Sequence, residues 1–315
     1  MKKLVISSSL LIVVILAAAA LLGYSQQNQI TATCQPTGNF ITVDHNRIHY
    51  IERIGGETPV VFLHGASSNS RDWQHSLFGH LSKQFHLIAI DRPGLGHSER
   101  EPGLTLENQV RLIHKVVMKL NLDQPILVAH SLAGAVGARL LVDYQGYYKG
   151  LVIIAGAIYP IGDGSSWYTR LAAMPLLGEI FRHAIIPAVA PFISSTFIEN
   201  SFYPQKAPPE YFEQSCLGLL FSPDRFRANA LDLNQIRPFL DESYPLYYQI
   251  TAPVSLVYGD QDQVIYQFSH AGGFKHKVHH AKYIMLKNTG HLPHFSNQEI
   301  IEEELRRISV SAGSN

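Results

Sequence analysis

"VAHSLAGA", residues 128–135, places one serine, Ser131, between small residues directly after an apolar run. Residues 125–128 are apolar, and apolar side chains follow Ser131 at helical spacing as far as Leu141. This pattern predicts a buried strand that turns sharply into a helix at the serine. Two interpretations of Ser131 are open at this point, because serine is a common helix cap and because a strained turn of this kind can hold a nucleophile.

Strand and helix patterns alternate on both sides of this turn. Short apolar runs, typical of buried parallel strands, lie at residues 59–64, 86–91, 124–130, 150–156, 253–260 and 283–288, and an alternating strand lies at 47–53. Helical patterns lie at about 73–83, 106–120, 132–144 and 297–310. The alternation predicts an α/β fold with a mostly parallel central sheet and helices on both faces.

Residues 157–248 interrupt the alternation. They are rich in proline and in aromatic and aliphatic side chains, and they contain no buried-strand pattern. An insertion after a strand of a parallel sheet lies above the carboxyl ends of the strands, where ligands bind in open α/β sheets. We therefore expect a helical cap at residues 157–248, inserted after the sixth strand of a core formed by residues 39–156 and 249–315.

The N-terminal segment is apolar and nearly uncharged. After two lysines near its start, no charged residue occurs before Asp44, and residues 4–24 as a helix would span about 30 Å, enough to cross a bilayer. We interpret residues 1–3 as a cytoplasmic n-region, residues 4–24 as a transmembrane anchor or a secretory signal, and residues 25–38 as a polar tether. The anchor is favoured, because the apolar stretch is longer than a typical signal core. The catalytic domain is then expected on the non-cytoplasmic side, membrane-anchored, or secreted or periplasmic if the segment is a cleaved signal.

Charge and composition limit the partners. The 315 residues include 25 Lys and Arg and 25 Asp and Glu, so that no net field favours nucleic acid. The His-rich residues 275–282 are interpreted as a loop or helix end rather than a metal site, and with no nucleotide or flavin motif we expect no cofactor and no metal.

Cys34 and Cys216 are far apart in the sequence, so we expect free thiols, although an oxidising compartment would allow them to pair. The oligomeric state is not predicted.

A serine nucleophile needs a base within hydrogen-bond reach and an acidic partner that orients the base. His291 lies just after the last predicted strand, and Asp262 lies just after the strand before it. In a parallel sheet both loops leave the edge that carries Ser131, so the three side chains are expected to converge. Asp260 and His294 are the rival acid and base in the same two loops.

Five motifs together resemble those of the α/β-hydrolase fold family, in its cap-bearing serine hydrolase type. They are "FLHGASSNSRDW" (62–73), "DRPGLGHS" (91–98), "VAHSLAGA" (128–135), "YGDQDQV" (258–264) and "TGHLPH" (289–294). The resemblance covers about residues 40–310. It implies Ser131 as nucleophile, Asp262 as acid and His291 as base. The residues that it implies for the oxyanion hole are the backbone N–H groups of Ala66 and Leu132, with His64 and Gly65 supporting that loop.

The residue at the turn also limits the reaction class. Epoxide hydrolases and haloalkane dehalogenases of this fold carry aspartate there, whereas Ser131 implies acyl transfer. The motif G-x-S-x-G is altered, since Ala129 and Ala133 replace its glycines. We expect a serine hydrolase that cleaves a carboxylic ester with an apolar acyl group, as an esterase or lipase does. The alternatives are a C–C bond hydrolase, a cofactor-free perhydrolase and, less favoured, a non-catalytic ligand-binding protein.

Overall fold

The computed structural model describes residues 2–311, apart from the side chains of residues 2–13, 15, 16, 191 and 311. The described residues form one eight-stranded sheet with strand order β1-β2-β4-β3-β5-β6-β7-β8. Its strands are β1 (Asn39–Val43), β2 (Asn46–Arg53), β3 (Thr58–Leu63), β4 (Phe85–Ile90), β5 (Ile126–His130), β6 (Gly150–Ile154), β7 (Val254–Gly259) and β8 (Lys282–Leu286). The β1–β2 and β2–β4 pairs are antiparallel, and all other pairs are parallel. The predicted fold class is confirmed.

Helices surround this sheet and form the insertion above it. They are α1 (Lys2–Thr33), α2 (Arg71–Trp73), α3 (Leu106–Lys119), α4 (Ala133–Asp143), α5 (Trp167–Ala173), α6 (Leu176–Ile180), α7 (Ile186–Phe202), α8 (Tyr211–Gln214), α9 (Pro223–Ser243), α10 (Gln267–Lys277) and α11 (Gln298–Ser311). Short 3-10 helices lie at Leu217–Phe221, Tyr244–Gln249 and Pro293–Phe295, and π-helical turns lie at Gln74–Phe78 and Phe181–Ile185. The cap is therefore helical and follows the sixth strand, as predicted.

Strands β3 to β7 are central and covered on both faces. The four residues Val60 to Leu63 are fully buried, as are Leu151 to Ile154 in β6. A strand with helices on both faces needs consecutive apolar residues, which is why these strands read as unbroken apolar runs in the sequence. The helix predicted at about 73–83 is present only as α2 and the π-helical turn Gln74–Phe78, because the chain reaches β4 at Phe85.

Helix α1 corrects the expectation of a polar tether at residues 25–38. It continues to Thr33 and packs against the cap, on α7 and the π-helical turn before it. Gly23 is so close to Pro187 that a Cβ at Gly23 would lie 2.4 Å from the Pro187 Cβ, and a Cβ at Gly218 would lie 3.0 Å from the Ile30 side chain. Small residues on both sides allow the close packing, which a count of polar residues does not detect.

The cysteines correct a second expectation. Cys34, just beyond α1, is disulfide-bonded to Cys216, with the two Cα atoms 5.7 Å apart. Both residues are buried, beside Leu219 and Ile30. The docking of α1 on the cap places the two residues side by side although 182 positions separate them in the sequence. Distance along the chain was therefore no guide to distance in space.

The predicted anchor at residues 4–24 lies largely outside the residues whose side chains are described. Within the described part of the chain, no single helix has both the length and the apolar character needed to cross a membrane. One bent pair, Trp167–Ala173 with Leu176–Ala190, meets the two criteria jointly and is bent by 107°.

Candidate active site

Ser131 lies at the sharp turn between β5 and α4. Its φ of +53° lies in the left-handed region, which is unfavourable for a residue with a Cβ and is often found at functional sites. The Ser131 N–H donates to the Ile154 carbonyl at 3.0 Å. Its carbonyl accepts from the N–H groups of Gly134 at 2.9 Å and Ala157 at 3.0 Å. Three hydrogen bonds therefore hold the strained turn in place.

The altered glycine motif is compatible with this turn. Ala129 and Ala133 are fully buried, so their methyl groups fit within the packed interior beside the turn. The closest approaches occur further along α4. A Cβ on Gly137 would lie 3.1 Å from the Cβ of Ala129, and a Cβ on Gly134 would lie 3.0 Å from the Cα of Gly156. Glycines inside the helix thus let α4 pack tightly on β5 and the loop after β6.

His291 and Asp262 form a hydrogen-bonded pair in the loops after β8 and β7. The Nδ1 atom of His291 lies 2.9 Å from Oδ2 of Asp262, and the two side chains are 7% and 0% exposed. The N–H groups of Val264 and Ile265 donate to Oδ1 of Asp262, at 2.8 and 3.0 Å. The rival Asp260 instead accepts from the Thr289 N–H at 3.3 Å. The structure therefore brings Asp262, and not Asp260, to the histidine.

Ser131 and His291 line the same cavity, which has a volume of about 320 Å³. The residues proposed for the oxyanion hole, Ala66 and Leu132, also line it. Cap side chains form much of the remaining wall, and most of them are apolar: Tyr168, Phe197, Ile198, Leu217, Leu233 and Ile236. A cavity of this size and character suits an apolar ligand with a few polar groups at one end.

The orientation of the Leu132 and Ala66 amides follows from the carbonyls that precede them. In a trans peptide the N–H points away from the C=O. The Ser131 carbonyl is bound by two N–H groups, so the Leu132 N–H faces the opposite side. The Gly65 carbonyl is bound by the His64 ring at 2.9 Å and by Arg92 at 3.3 Å, which fixes the Ala66 N–H in the same way.

Gly65 and His64 have distinct roles in this loop. A Cβ on Gly65 would lie 2.9 Å from the Cβ of Ser131, so only glycine allows the loop to approach the serine this closely. The Arg92 N–H donates to Nε2 of His64 at 2.9 Å, which leaves Nδ1–H as the donor to the Gly65 carbonyl. Burial and the neighbouring Arg92 guanidinium lower the pKa of His64 to about 4. His64 is therefore neutral at pH 7 and supports the loop as a hydrogen-bonding group.

A buried polar cluster beside the cavity was not predicted. Nε2 of His294, the rival base, lies 3.0 Å from Oδ2 of Asp72, and the Tyr211 hydroxyl donates to Oδ1 of Asp72 at 2.7 Å. Burial opposes ionisation of Asp72, but His294 and Tyr211 outweigh it and lower the pKa of the carboxyl. Asp72 and His294 each lie within a recognisable motif, yet no sequence spacing indicates that they meet.

His130 lies between this cluster and His291, with its ring 4.9 Å from that of His294. Its Nε2 donates to the backbone carbonyl of His291 at 2.9 Å. Burial, together with His291 and His294, lowers the pKa of His130 well below 6.5, so the ring is neutral. Asp72, His130 and His294 offer three possible metal ligands within 4.8 Å of one another. Both Asp72 oxygens already accept hydrogen bonds, from His294 and Tyr211, so we interpret the group as a buried polar cluster against which His130 packs.

Comparison with known proteins finds a matching family and several relatives of this chain. The model of the family described as "Alpha/beta hydrolase family" matches residues 60–303. The AB hydrolase superfamily protein YisY of Bacillus subtilis is 22% identical over 282 residues, which cover 87% of this chain and 100% of that protein. Monoacylglycerol lipase abhd6-B of Xenopus laevis is 26% identical over 248 residues, which cover 75% of this chain and 71% of that protein.

A solved structure extends the likeness over the whole fold. The crystal structure of a membrane phospholipase A, described as a bacterial virulence factor, is 18% identical and superposes with a TM-score of 0.66 over 100% of both chains. The family match covers well over half of this chain. The expectation of a hydrolase of this superfamily is confirmed, and the chain belongs to the alpha/beta hydrolase family.

Proposed function

We propose that the protein is a serine hydrolase that cleaves carboxylic esters through an acyl-enzyme. The observation that carries the proposal is the meeting of two features at one cavity. Ser131, held in the left-handed conformation at the strand–helix turn, lines the cavity, and so does His291, which is paired with Asp262. A serine, a histidine and a carboxylate in these roles form a catalytic triad.

The mechanism follows from the hydrogen bonds. Asp262 accepts from Nδ1–H of His291, which leaves Nε2 as the proton acceptor. Ser131 Oγ attacks the ester carbonyl carbon while His291 takes the hydroxyl proton, and the carbonyl oxygen becomes an oxyanion. The intermediate collapses, the C–O bond to the alcohol breaks, and His291 protonates the alcohol as it leaves. Water then attacks the acyl-enzyme by the same route and releases the acid and free Ser131.

The oxyanion would be bound by the backbone N–H groups of Ala66 and Leu132. Both residues line the cavity, and the carbonyls preceding them are bound on the opposite side. Donors that are already oriented need no rearrangement when charge develops on the substrate oxygen. Loss of one such donor typically costs about 100-fold to 1,000-fold in kcat.

The substrate is proposed to have an apolar acyl group. The aromatic and aliphatic cap side chains in the cavity wall support this class, and related proteins are described as a monoacylglycerol lipase and a membrane phospholipase. Tyr168 and Phe197 line the cavity and are 43% and 52% exposed, so the apolar wall extends to the surface. The perhydrolase and the non-catalytic binding protein are outcomes of the test below, and a C–C bond hydrolase is the remaining alternative on the same scaffold.

We also propose that residues 4–24 attach the protein to a membrane with the catalytic domain on the non-cytoplasmic side. The two N-terminal lysines and the following apolar run support this, as does the Cys34–Cys216 disulfide, a bond typical of oxidising compartments. The full-length protein should remain with membranes after carbonate extraction. A mature N-terminus near residue 21 or 26 would instead identify a cleaved signal and a secreted or periplasmic enzyme.

The reaction is tested by comparing the wild type with Ser131→Ala on p-nitrophenyl esters. We expect the wild type to hydrolyse them and Ser131→Ala to lose at least 1,000-fold in kcat while remaining folded, a loss of the order found on removing a triad member. Undiminished hydrolysis by the variant would refute the proposal. A wild type that is inactive on esters but forms peracid from hydrogen peroxide and a carboxylic acid would favour the perhydrolase, and one that only binds ligand would favour the binding protein.

A further inference from the structure

We infer that Asn229 of the cap helix α9 is a positioning residue for the oxyanion hole, so that the cap takes part in catalysis as well as in binding. This inference rests on the proposed function. Asn229 and Ser67 hold each other through two hydrogen bonds. The Ser67 N–H donates to Oδ1 of Asn229 at 2.7 Å, and Nδ2 of Asn229 donates to Oγ of Ser67 at 2.9 Å.

The first of these bonds acts on the backbone next to the proposed donor. Ser67 directly follows Ala66, and its N–H belongs to the peptide plane on the carboxyl side of Ala66. The plane on the amino side is fixed by the Gly65 carbonyl, which the His64 ring and Arg92 bind. Orienting both planes that flank Ala66 leaves its two backbone dihedral angles little freedom. Ser67 itself has a φ of +58°, an unfavourable value that the bonds to Asn229 help to maintain.

The second contact of α9 with this loop passes through a buried ion pair. Asp232, three residues after Asn229, lies 2.6 Å from Arg92, and both side chains are fully buried. Arg92 in turn donates from Nε to the His64 carbonyl at 2.9 Å and from a terminal nitrogen to the Gly65 carbonyl at 3.3 Å. Helix α9 therefore holds the loop on both sides of the Ala66 amide.

The same face of α9 also contacts the cavity. Leu233 and Ile236 line the cavity over Ser131. Asn229, Asp232, Leu233 and Ile236 are spaced as i, i+3, i+4 and i+7, which places them on one side of a helix. A substrate that displaces α9 through its acyl group would therefore also displace Ser67 and Arg92. Helix α9 therefore links the position of the acyl group in the cavity to the orientation of the Ala66 N–H.

The chain offers a matched control on the same helix. Asn234 makes an equivalent reciprocal pair within the cap, because it accepts from the Thr169 hydroxyl at 2.8 Å and donates to the Thr169 carbonyl at 3.1 Å. Asn234→Ala likewise removes one accepted and one donated hydrogen bond from α9, and it leaves the bonds of Asn229 to Ser67 in place. The comparison of Asn229→Ala with Asn234→Ala therefore separates positioning of the loop from stability of the cap.

The experiment measures kcat, KM and the urea midpoint of both full-length variants, together with inhibition by an alkyl trifluoromethyl ketone. Such a ketone adds to the serine and forms an oxyanion. For Asn229→Ala we expect kcat to fall by about 10-fold to 100-fold, KM to stay within about twofold, and inhibition to weaken by the same factor as kcat/KM, because a misdirected donor loses much of its contribution. For Asn234→Ala we expect kcat and inhibition close to wild type.

Equal kcat values for the two variants would overturn the inference, as would a rise in KM without loss of kcat. If Asn229→Ala does not fold, Asn229→Ser replaces it under the same criteria, since serine is too short to reach the Ser67 N–H. A wild type inactive on every ester would instead overturn the proposed function.

Discussion

The Nδ1 atom of His291 lies 2.9 Å from Oδ2 of Asp262, while the carboxylate of Asp260, two residues earlier, binds the Thr289 N–H. The two aspartates share one turn but have different partners. The pair therefore provides an internal comparison for the proposed triad, because one carboxylate orients the histidine and the other orients the loop that carries it.

Asp262→Asn is expected to lower kcat by about 10,000-fold, because an amide no longer selects the tautomer of His291 that leaves Nε2 free. Asp260→Asn is expected to lower kcat by less than tenfold. Steady-state kinetics on one p-nitrophenyl ester measures both. A larger loss from Asp260→Asn would reassign the acid.

The free energy of unfolding should decrease as the pH falls from about 6.5 to about 4. Burial lowers the pKa of His64 from 6.5 to about 4, and burial also lowers the pKa of His97 and His270 to about 4. In this pH range the unfolded chain binds protons that the folded chain does not, so stability rises with pH and levels off above about 6.5. One such group contributes about 1.4 kcal/mol per pH unit within the range.

Urea unfolding at several pH values measures this dependence. Between pH 4.5 and 6, His64→Asn should reduce the slope of the free energy of unfolding against pH by the amount that corresponds to about one proton. His45→Asn, at an exposed turn between β1 and β2, serves as the control for the loss of a histidine outside the buried loop. A slope that is the same in all three proteins would show that His64 is not the buried neutral group described here.

Loss of the Cys34–Cys216 bond should lower the free energy of unfolding by up to about 5 kcal/mol, because the bond closes a loop of 182 residues and so restricts the unfolded chain. The Cys34→Ser/Cys216→Ser variant and the wild type treated with a thiol reductant should unfold at the same lower urea concentration. Mass spectrometry of the unreduced protein should detect the bridged peptides. Free thiols in protein isolated from its native compartment would contradict the described bond.

The catalytic efficiency kcat/KM should rise about fourfold for each methylene added to the acyl chain, from acetate until the cavity is filled, because a buried methylene contributes about 0.8 kcal/mol. Phe197 lines the cavity, whereas Phe192 on the same helix does not line it and is 81% exposed. Phe197→Ala should weaken the dependence on chain length for soluble esters, and Phe192→Ala should leave it unchanged. A profile that peaks at acetate and falls by hexanoate would show that the cap closes the site.

The strands and the turn at Ser131 were predictable, because the pattern of side chains that forms them lies within a short stretch of the sequence. Runs such as Val60–Leu63 are buried on both faces and therefore apolar throughout. Parallel strands bring their carboxyl ends to one edge, which is why Asp262 and His291 could be placed together from chain order. Helix α10 was missed, because Gly272, Gly273 and four histidines and lysines give its sequence little helical pattern.

The unpredicted contacts are those that depend on packing between distant segments. Nδ1 of His270 in α10 accepts hydrogen bonds from the N–H groups of Ile158 and Tyr159. The bonds of Asn229 to Ser67 and of Asp72 to His294 likewise join cap to core or loop to loop. A single polar residue at a contact between distant segments forms no repeating pattern in the sequence, so only the folded structure identifies its partner.

The most direct test of the central claim is to treat the full-length protein with a fluorophosphonate and to map the adduct by peptide mass spectrometry. The account predicts one covalent adduct on Ser131, lost in Ser131→Ala and greatly slowed in His291→Ala, in parallel with ester hydrolysis. An adduct on another residue, or ester hydrolysis that continues when Ser131 is fully labelled, would contradict the assignment of Ser131 as the nucleophile.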